Sequence, residues 1–295
     1  LLEGRLPEFY QQTAENRYGL EMTQSYSQFW YLAPASLWNL PLWIGEQWFG
    51  LDLNHPLALL WGKLWFLALQ IGVSYMTYRL TKQWLAAFLT FTSIFSFISA
   101  GYAGQNDFFW ILMSLFALHF YFDDRRAPFM WLSLYTALLK PWWILPFIAL
   151  YFLKDKRIHR ILLWFVAYVG VQVLHNLLMG NPNAHGFANP SGEMTLQRLL
   201  TSVTLPLPDG GVSVLALLII GVYVWAYLHR GEVTKTLALR VVSGLFLALM
   251  LFSEHDFYRY VLPVPYTAML ISQMEEPQWT VTLASFTETL MAWFL

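Results

Sequence analysis

The chain has 295 residues, 57% of them hydrophobic and only 12% charged, with a net charge of −1 and no cysteine. A soluble domain carries about 25% charged residues, so the composition argues for a membrane protein. The near-neutral charge excludes bulk attraction to nucleic acid, and the lack of cysteine excludes disulfides, thiolate metal sites and a thiol nucleophile.

Residues 1–28 are polar and mixed in charge, and Gly4, Pro7 and Gly19 interrupt any long helix, so they read as an extramembrane loop with short helices. Residues 29–49, FWYLAPASLWNLPLWIGEQWF, are apolar but broken by Pro34, Asn39 and Pro41. Their Trp and Tyr density favours an interfacial or re-entrant helix over a full span. Pro56 suits a first helical turn and opens the first clear span at 57–79. Segments 84–104 and 107–122 follow, each near the roughly 17–25 residues that a crossing needs.

Residues 128–153 form one apolar block interrupted by Lys140-Pro141. Proline removes a helix hydrogen bond, so the block reads as two half-spans meeting at membrane depth or at its outer edge. Residues 160–180 span again. The Pro, Gly and Asn content of 181–211 predicts a long irregular loop. Spans at 212–228, 236–253, 257–274 and 279–295 complete the chain.

The expected fold is all-α, a polytopic transmembrane helical bundle of about 8–10 segments. Residues 57–295 form its membrane domain, and residues 1–56 form an extracytoplasmic loop with interfacial helices. The opening at Leu1 in loop-like sequence reads as the remainder of a longer first external loop.

Basic residues set the sides. Arg79 and Lys82, then Arg125 and Arg126, then Lys154, Lys156, Arg157 and Arg160, then Arg230 and Lys235 all fall on one face if the Lys140 block goes in and comes back. That face is cytoplasmic by the positive-inside rule. The Gly104–Asp107 knot, Lys140, the 181–211 loop and the 253–259 turn then share the opposite face.

Polar groups near membrane depth are costly and persist where they are used. Gln105, Asn106 and Asp107 bring two carboxamides and a carboxylate that suit sugar hydroxyls; Asn106 or Asp107 can equally cap a helix starting at Phe108. Lys140 can grip a phosphate, or its ammonium can snorkel to the interface. In Ser253–Tyr260, Arg259 offers a planar fork for phosphate and His255 a proton shuttle, against the plainer reading of a solvated, self-paired turn. His175 and His185 are too irregularly placed for a metal site. No nucleotide-binding loop or nucleophile elbow is present, and no metal or cofactor is expected.

The order of these motifs resembles the GT-C superfamily of integral-membrane glycosyltransferases, nearest to its polyprenyl- and dolichyl-phosphate-mannose-dependent mannosyltransferases. Gly4-Arg5-Leu6-Pro7-Glu8-Phe9-Tyr10 resembles the end of the family's first external loop. Gly62-Lys63-Leu64-Trp65-Phe66 is similar to the Gly-Lys opening the next span, Gly104-Gln105-Asn106-Asp107 to its polar span mouth, and Leu139-Lys140-Pro141 to its Lys before a proline-bearing segment. His255 to Tyr260 is a looser likeness to its His-x-Arg-Tyr turn.

The resemblance implies a GT-C fold, a lipid-linked donor and an inverting transfer without a covalent intermediate. The family's catalytic Asp follows its first span, and that motif is not found here. Glu3, Glu8, Glu15 and Glu21 lie in the corresponding loop without it, which leaves Asp107 as the catalytic candidate. Gln105, Asn106, Lys140, His255 and Arg259 are the substrate-binding candidates.

The expected function is transfer of a hexose, mannose favoured, from a polyprenyl-phosphate sugar to a lipid-linked or cell-surface glycan. It would act on the outer face of a cell membrane, a bacterial plasma membrane favoured. Its partners would be that donor, the glycan or glycolipid acceptor and membrane lipid, with no nucleic acid. A transporter or flippase for an anionic lipid or solute is the alternative, and a scaffold subunit without chemistry is a third.

Overall fold

A computed structural model describes residues 29–53, 55–99, 107–179, 204–207, 210–252, 261–275, 277–278 and 280–281. Helices dominate: α1 (Phe29–Phe49), α2 (Pro56–Thr81), α3 (Trp84–Thr92), α4 (Ile94–Phe97), α5 (Asp107–Phe122), α6 (Arg126–Leu139), a 3₁₀ turn (Pro141–Trp143), α7 (Ile144–Lys154), α8 (Ile158–Met179), α9 (Val214–Leu228), α10 (Lys235–Phe252) and α11 (Val264–Ile271). Two of them, α2 and α10, are long and apolar enough to cross a membrane.

Local chemistry sets the helix ends. Pro56 occupies the first turn of α2, and His55 Nδ1 accepts from the Leu57 N–H at 3.3 Å. Lys82 ends the helix in the left-handed region at φ 61°, its N–H returned to the Tyr78 carbonyl at 2.6 Å. Ser213 Oγ accepts from the Ala216 N–H at 3.1 Å and starts α9.

The apolar stretch 29–49, expected as an interfacial or re-entrant helix, is one continuous helix despite Pro34 and Pro41 and is not among the helices long and apolar enough to cross. Trp38 and Trp61 stack at 5.1 Å and each indole N–H donates to the other's carbonyl, at 3.1 and 3.0 Å, which docks α1 on α2. The span expected at 84–104 breaks at Ser93. There the Phe91 carbonyl accepts from Gln70 Nε2 at 2.8 Å and the Thr90 carbonyl from Ser96 Oγ at 2.8 Å, so the break leaves both satisfied.

The loop expected through 211 contains an antiparallel ribbon of β1 (Thr204–Leu207) and β2 (Gly210–Ser213), with Thr204 opposite Ser213. The span expected at 257–274 contains α11 of only 8 residues, about 12 Å long. Proline fixes its start at Pro263 and Pro265. Residues 282–295 lie outside the described residues.

The expected reversal at Lys140 is present. Lys140 is extended, with φ −147° and ψ 121°, and separates α6 from the 3₁₀ turn and α7. The end of α7 returns to the start of α6: Lys154 Nζ binds the Asp124 carboxylate and donates to the Tyr121 carbonyl at 2.5 Å. The basic turns therefore gather at one end. Lys156 Nζ donates to the Ala226 carbonyl at the end of α9 at 2.7 Å, and Lys235 lies 5.6 Å from the Phe122 ring.

Helix α2 runs parallel to α5, with Trp65 beside Phe109 and Gly72 beside Leu112, where a Cβ would come within 3.3 Å of a methyl. Its basic end, Arg79 and Lys82, therefore points the same way. Phe246 against Trp110 carries the far end of α10 toward Asp107.

Asp155 organises the charged end. Buried at 7% exposure, it accepts from Arg157 Nε and NH2, the latter at 2.9 Å, from Arg126 at 3.3 Å and from Arg160 at 3.5 Å. Hydrogen bonds from Arg157 hold its carboxyl at about 2 against an ordinary 3.8, although burial works the other way. Because the folded value lies below the unfolded one, its stabilisation is full above about pH 4 and is lost as pH falls toward 2. Asp155→Asn is expected to lower unfolding free energy by about 1–2 kcal/mol at neutral pH, discounted for the half-exposed arginines. Thermal unfolding from pH 7 to pH 2 should show the two proteins converging at the acid end.

The core of the bundle is apolar with a few polar side chains buried in it, and much of the outer surface is apolar as well. Gln70, Ser74, Thr77, Thr90, Ser114 and Thr136 are buried, whereas Leu163, Val166 and Leu251 are 65–71% exposed. These five hydroxyls are satisfied within their own helices, as where Ser74 donates to the Gln70 carbonyl at 2.9 Å and Thr136 to that of Leu132 at 2.7 Å, whereas the buried Ser99 and Ser133 hydroxyls have no partner among the described residues. Contiguous exposed apolar faces of this kind mark contact with lipid or with another protein.

Candidate functional site

Helices α5 and α6 form an antiparallel hairpin through the Asp123–Arg125 turn, so the N-terminus of α5 lies beside the C-terminus of α6. Asp107 is the first residue of α5, and Lys140 caps α6. A carboxylate suits the positive end of a helix dipole, and an ammonium suits the negative end. The two meet there: Lys140 Nζ lies 3.3 Å from Asp107 Oδ1. Both are buried, Asp107 at 0% and Lys140 at 5% exposure.

The pair sits in an aromatic setting. Trp110 Nε1 donates to the same Asp107 Oδ1 at 3.0 Å. Lys140 Nζ lies 5.2 Å from the Trp142 ring, and Trp143 is fully buried next to it in sequence. The Lys140 N–H closes α6 on the Thr136 carbonyl at 2.9 Å. Asp107 Oδ2 is buried and has no hydrogen-bond partner among the described residues. One oxygen of this carboxylate thus receives two donors while the other retains its acceptor capacity.

The plainer readings do not describe the Lys140 and Asp107 side chains; capping by Asn106 falls outside the described residues. Lys140 does not snorkel to a surface; it is buried against a carboxylate. The Asp107 carboxylate is engaged by an indole and an ammonium rather than by the first backbone N–H groups of α5. The helix spans Asp107–Phe122, the bounds expected for that segment.

Asp107 and Lys140 were selected separately from the sequence, and the structure joins them. Gln105, Asn106, His255 and Arg259 lie outside the described residues. Gln105 and Asn106 directly precede Asp107 in sequence, and α10 ends at Phe252 on the Asp107 side, next in sequence to Ser253–Tyr260. Lys63 is exposed on α2 and takes no part in the pair.

Trp110 went unnoticed in the sequence as a participant, as did a buried tie between α5 and α11 away from the pair. Trp110 is one turn along from Asp107, and that i, i+3 spacing was its signal. Ser114 Oγ hydrogen bonds to Tyr266 OH at 2.5 Å and ties α5 to α11; nothing in the local sequence marks that pair. Among the described residues no group of three or more His, Asp or Glu is arranged to hold a metal ion.

A buried carboxylate with one unsatisfied oxygen can accept a hydroxyl proton, and a neighbouring ammonium can stabilise a developing anion. At 0% exposure, Asp107 is reached only if the side chains over it move. No family model, curated protein or solved structure matches the chain.

Proposed function

We propose that the chain is a multi-pass membrane glycosyltransferase of the GT-C type. In this reading it transfers a hexose, mannose favoured, from a polyprenyl-phosphate sugar to a lipid-linked or cell-surface glycan. The apolar exterior and buried hydroxyls support a lipid-embedded bundle. The gathering of basic turns at the end opposite Asp107 and Lys140 supports an outward-facing site under the positive-inside rule. The Asp107–Lys140 pair, with one carboxylate oxygen unengaged, is the observation that carries the reading.

In the proposed step an acceptor hydroxyl gives its proton to Asp107 as its oxygen attacks the anomeric carbon. The bond from that carbon to the phosphate oxygen breaks, and polyprenyl phosphate leaves with the electron pair. Lys140 stabilises the phosphate charge that develops. Gln105, Asn106, His255 and Arg259 complete the reading as contacts to sugar and phosphate.

Transport of an anionic lipid or solute is the second reading. Two helix breaks favour it, at Ser93 and at Lys140, because interrupted helices with buried charge also line transport sites. The test is the purified chain in liposomes with labelled polyprenyl-phosphate hexose and a lipid-linked acceptor. Label appearing in acceptor with release of polyprenyl phosphate is the expected result. Passage of label across the bilayer without a new glycosidic bond overturns transfer in favour of transport.

A further inference from the structure

The basic end carries a feature that sugar transfer does not use. Arg126, Arg157 and Arg160 converge on the single buried carboxylate of Asp155, while their own side chains are 57%, 47% and 43% exposed. Arg157 spends Nε and one terminal nitrogen on Asp155; Arg126 and Arg160 each spend one terminal nitrogen. One carboxylate therefore fixes three guanidinium planes and leaves a surplus of charge and outward donors. Planar guanidinium donors match phosphate oxygens, often two at a time.

The same helices continue into apolar surface. Trp164 Nε1 donates to the Met130 carbonyl at 3.1 Å and packs α8 on α6. Within about two turns of the arginines, Trp131 on α6 and Leu162 and Leu163 on α8 are 58–68% exposed. Aromatic residues at such a boundary suit the headgroup region. A cleft of about 30 Å³ opens beside the cluster, between Arg126, Met130, Tyr151 and Lys154. Asp124, the neighbouring acid, is engaged mainly by Lys154, with Arg126 a weaker electrostatic partner.

We infer that Arg126, Arg157 and Arg160 form a binding site for the phosphate of an anionic phospholipid, whose acyl chains lie along α6 and α8. Asp155 is the positioning residue: it touches no lipid but holds the three side chains at one edge. The inference rests on the membrane reading above and is independent of the chemistry at Asp107.

Native mass spectrometry of the full chain in detergent tests it, with equimolar phosphatidylglycerol and phosphatidylcholine as probes. The wild type should retain phosphatidylglycerol in preference, and Arg160→Gln should lower that preference about fivefold, the worth of one basic side chain near an anionic surface. Arg160 makes the longest of the bonds to Asp155, so its loss disturbs the fold least. The variant R126Q/R157Q/R160Q, checked for an unfolding transition, should bind the two lipids equally.

Equal binding by the wild type, or a preference that survives in both variants, overturns the inference. Displacement of the lipid by millimolar glycerol 3-phosphate overturns it in favour of a soluble phosphate ligand. Carbonate-washed proteoliposomes separate this result from the membrane reading. Chain that floats with the vesicles but shows no lipid preference refutes the site alone; chain released by the wash refutes both.

Discussion

Replacing Lys140 by Met, or Asp107 by Asn, is expected to lower the unfolding free energy by about 3–5 kcal/mol, because each change strands a buried charge whose counter-charge has gone. Both partners are nearly inaccessible and 3.3 Å apart, so water cannot take over the lost contact without opening the packing. Thermal unfolding in detergent reads the loss, on the order of 10 °C for a chain of this size. The double variant D107N/K140M carries no charge at the site, keeps both side-chain volumes, and leaves Trp110 an amide oxygen to donate to. Neutralising both members of a buried pair is often harmless to stability, so most of the loss should be recovered.

Activity separates chemistry from scaffolding in the same set of proteins. If the pair takes a proton and steadies a leaving phosphate, the stable double variant transfers no sugar. If the pair only fixes the α5–α6 hairpin, the stable double variant works, and the catalytic assignment of Asp107 and Lys140 fails. A third variant, Trp110→Phe, removes the indole donor while both charges stay. It should retain the fold and slow transfer, since the carboxylate then has one donor fewer to hold it in place.

The sequence revealed these polar groups one at a time but not as a pair. Lys140 was conspicuous because a cation before proline sits badly in an apolar run, and Asp107 because it ends a polar knot. Their meeting depends on the hairpin folding back through Asp123–Arg125, which brings opposite helix ends together. No local pattern encodes that contact. The reversal at Lys140 was legible, because proline and charge interrupt the helix together and the basic turns fall on one side only if the chain returns.

The break at Ser93 was not legible. Thr90, Thr92 and Ser93 look like ordinary small polar residues in a span, and the groups that satisfy the broken backbone come from Gln70 on another helix as well as from Ser96. The ribbon at 204–213 was hidden by a loop composition whose proline and glycine forecast irregularity. Asp155 was obscured for a different reason. In Leu153-Lys154-Asp155-Lys156-Arg157 it looks like one acid diluted among cations, and only packing reveals that it is the buried centre on which Arg126, Arg157 and Arg160 converge.

The separation of the two ends should be all-or-none in a labelling experiment. The chain has no native cysteine, so single-cysteine variants report one position each against a silent background. Asp124→Cys and Glu232→Cys lie in the turns at the basic end, and Gln105→Cys lies two residues before Asp107 at the other. Helix α5 between them is 16 residues, about 24 Å, shorter than the roughly 30 Å of a bilayer's hydrocarbon core, so the labelling also tests whether this shorter apolar helix crosses.

In sealed, uniformly oriented vesicles a membrane-impermeant maleimide should label Gln105→Cys from one side. It should reach Asp124→Cys and Glu232→Cys only from the other. Inner-facing cysteines should react from outside only after detergent is added. If all three react from the same side, α5 does not cross, the arginine cluster and the Asp107–Lys140 pair share a compartment, and the outward-facing site has no basis. If the sides separate but the basic end faces out, the bundle stands while the direction of transfer reverses. The charge asymmetry makes that outcome the less favourable one, because basic turns of short loops are retained on the side of insertion.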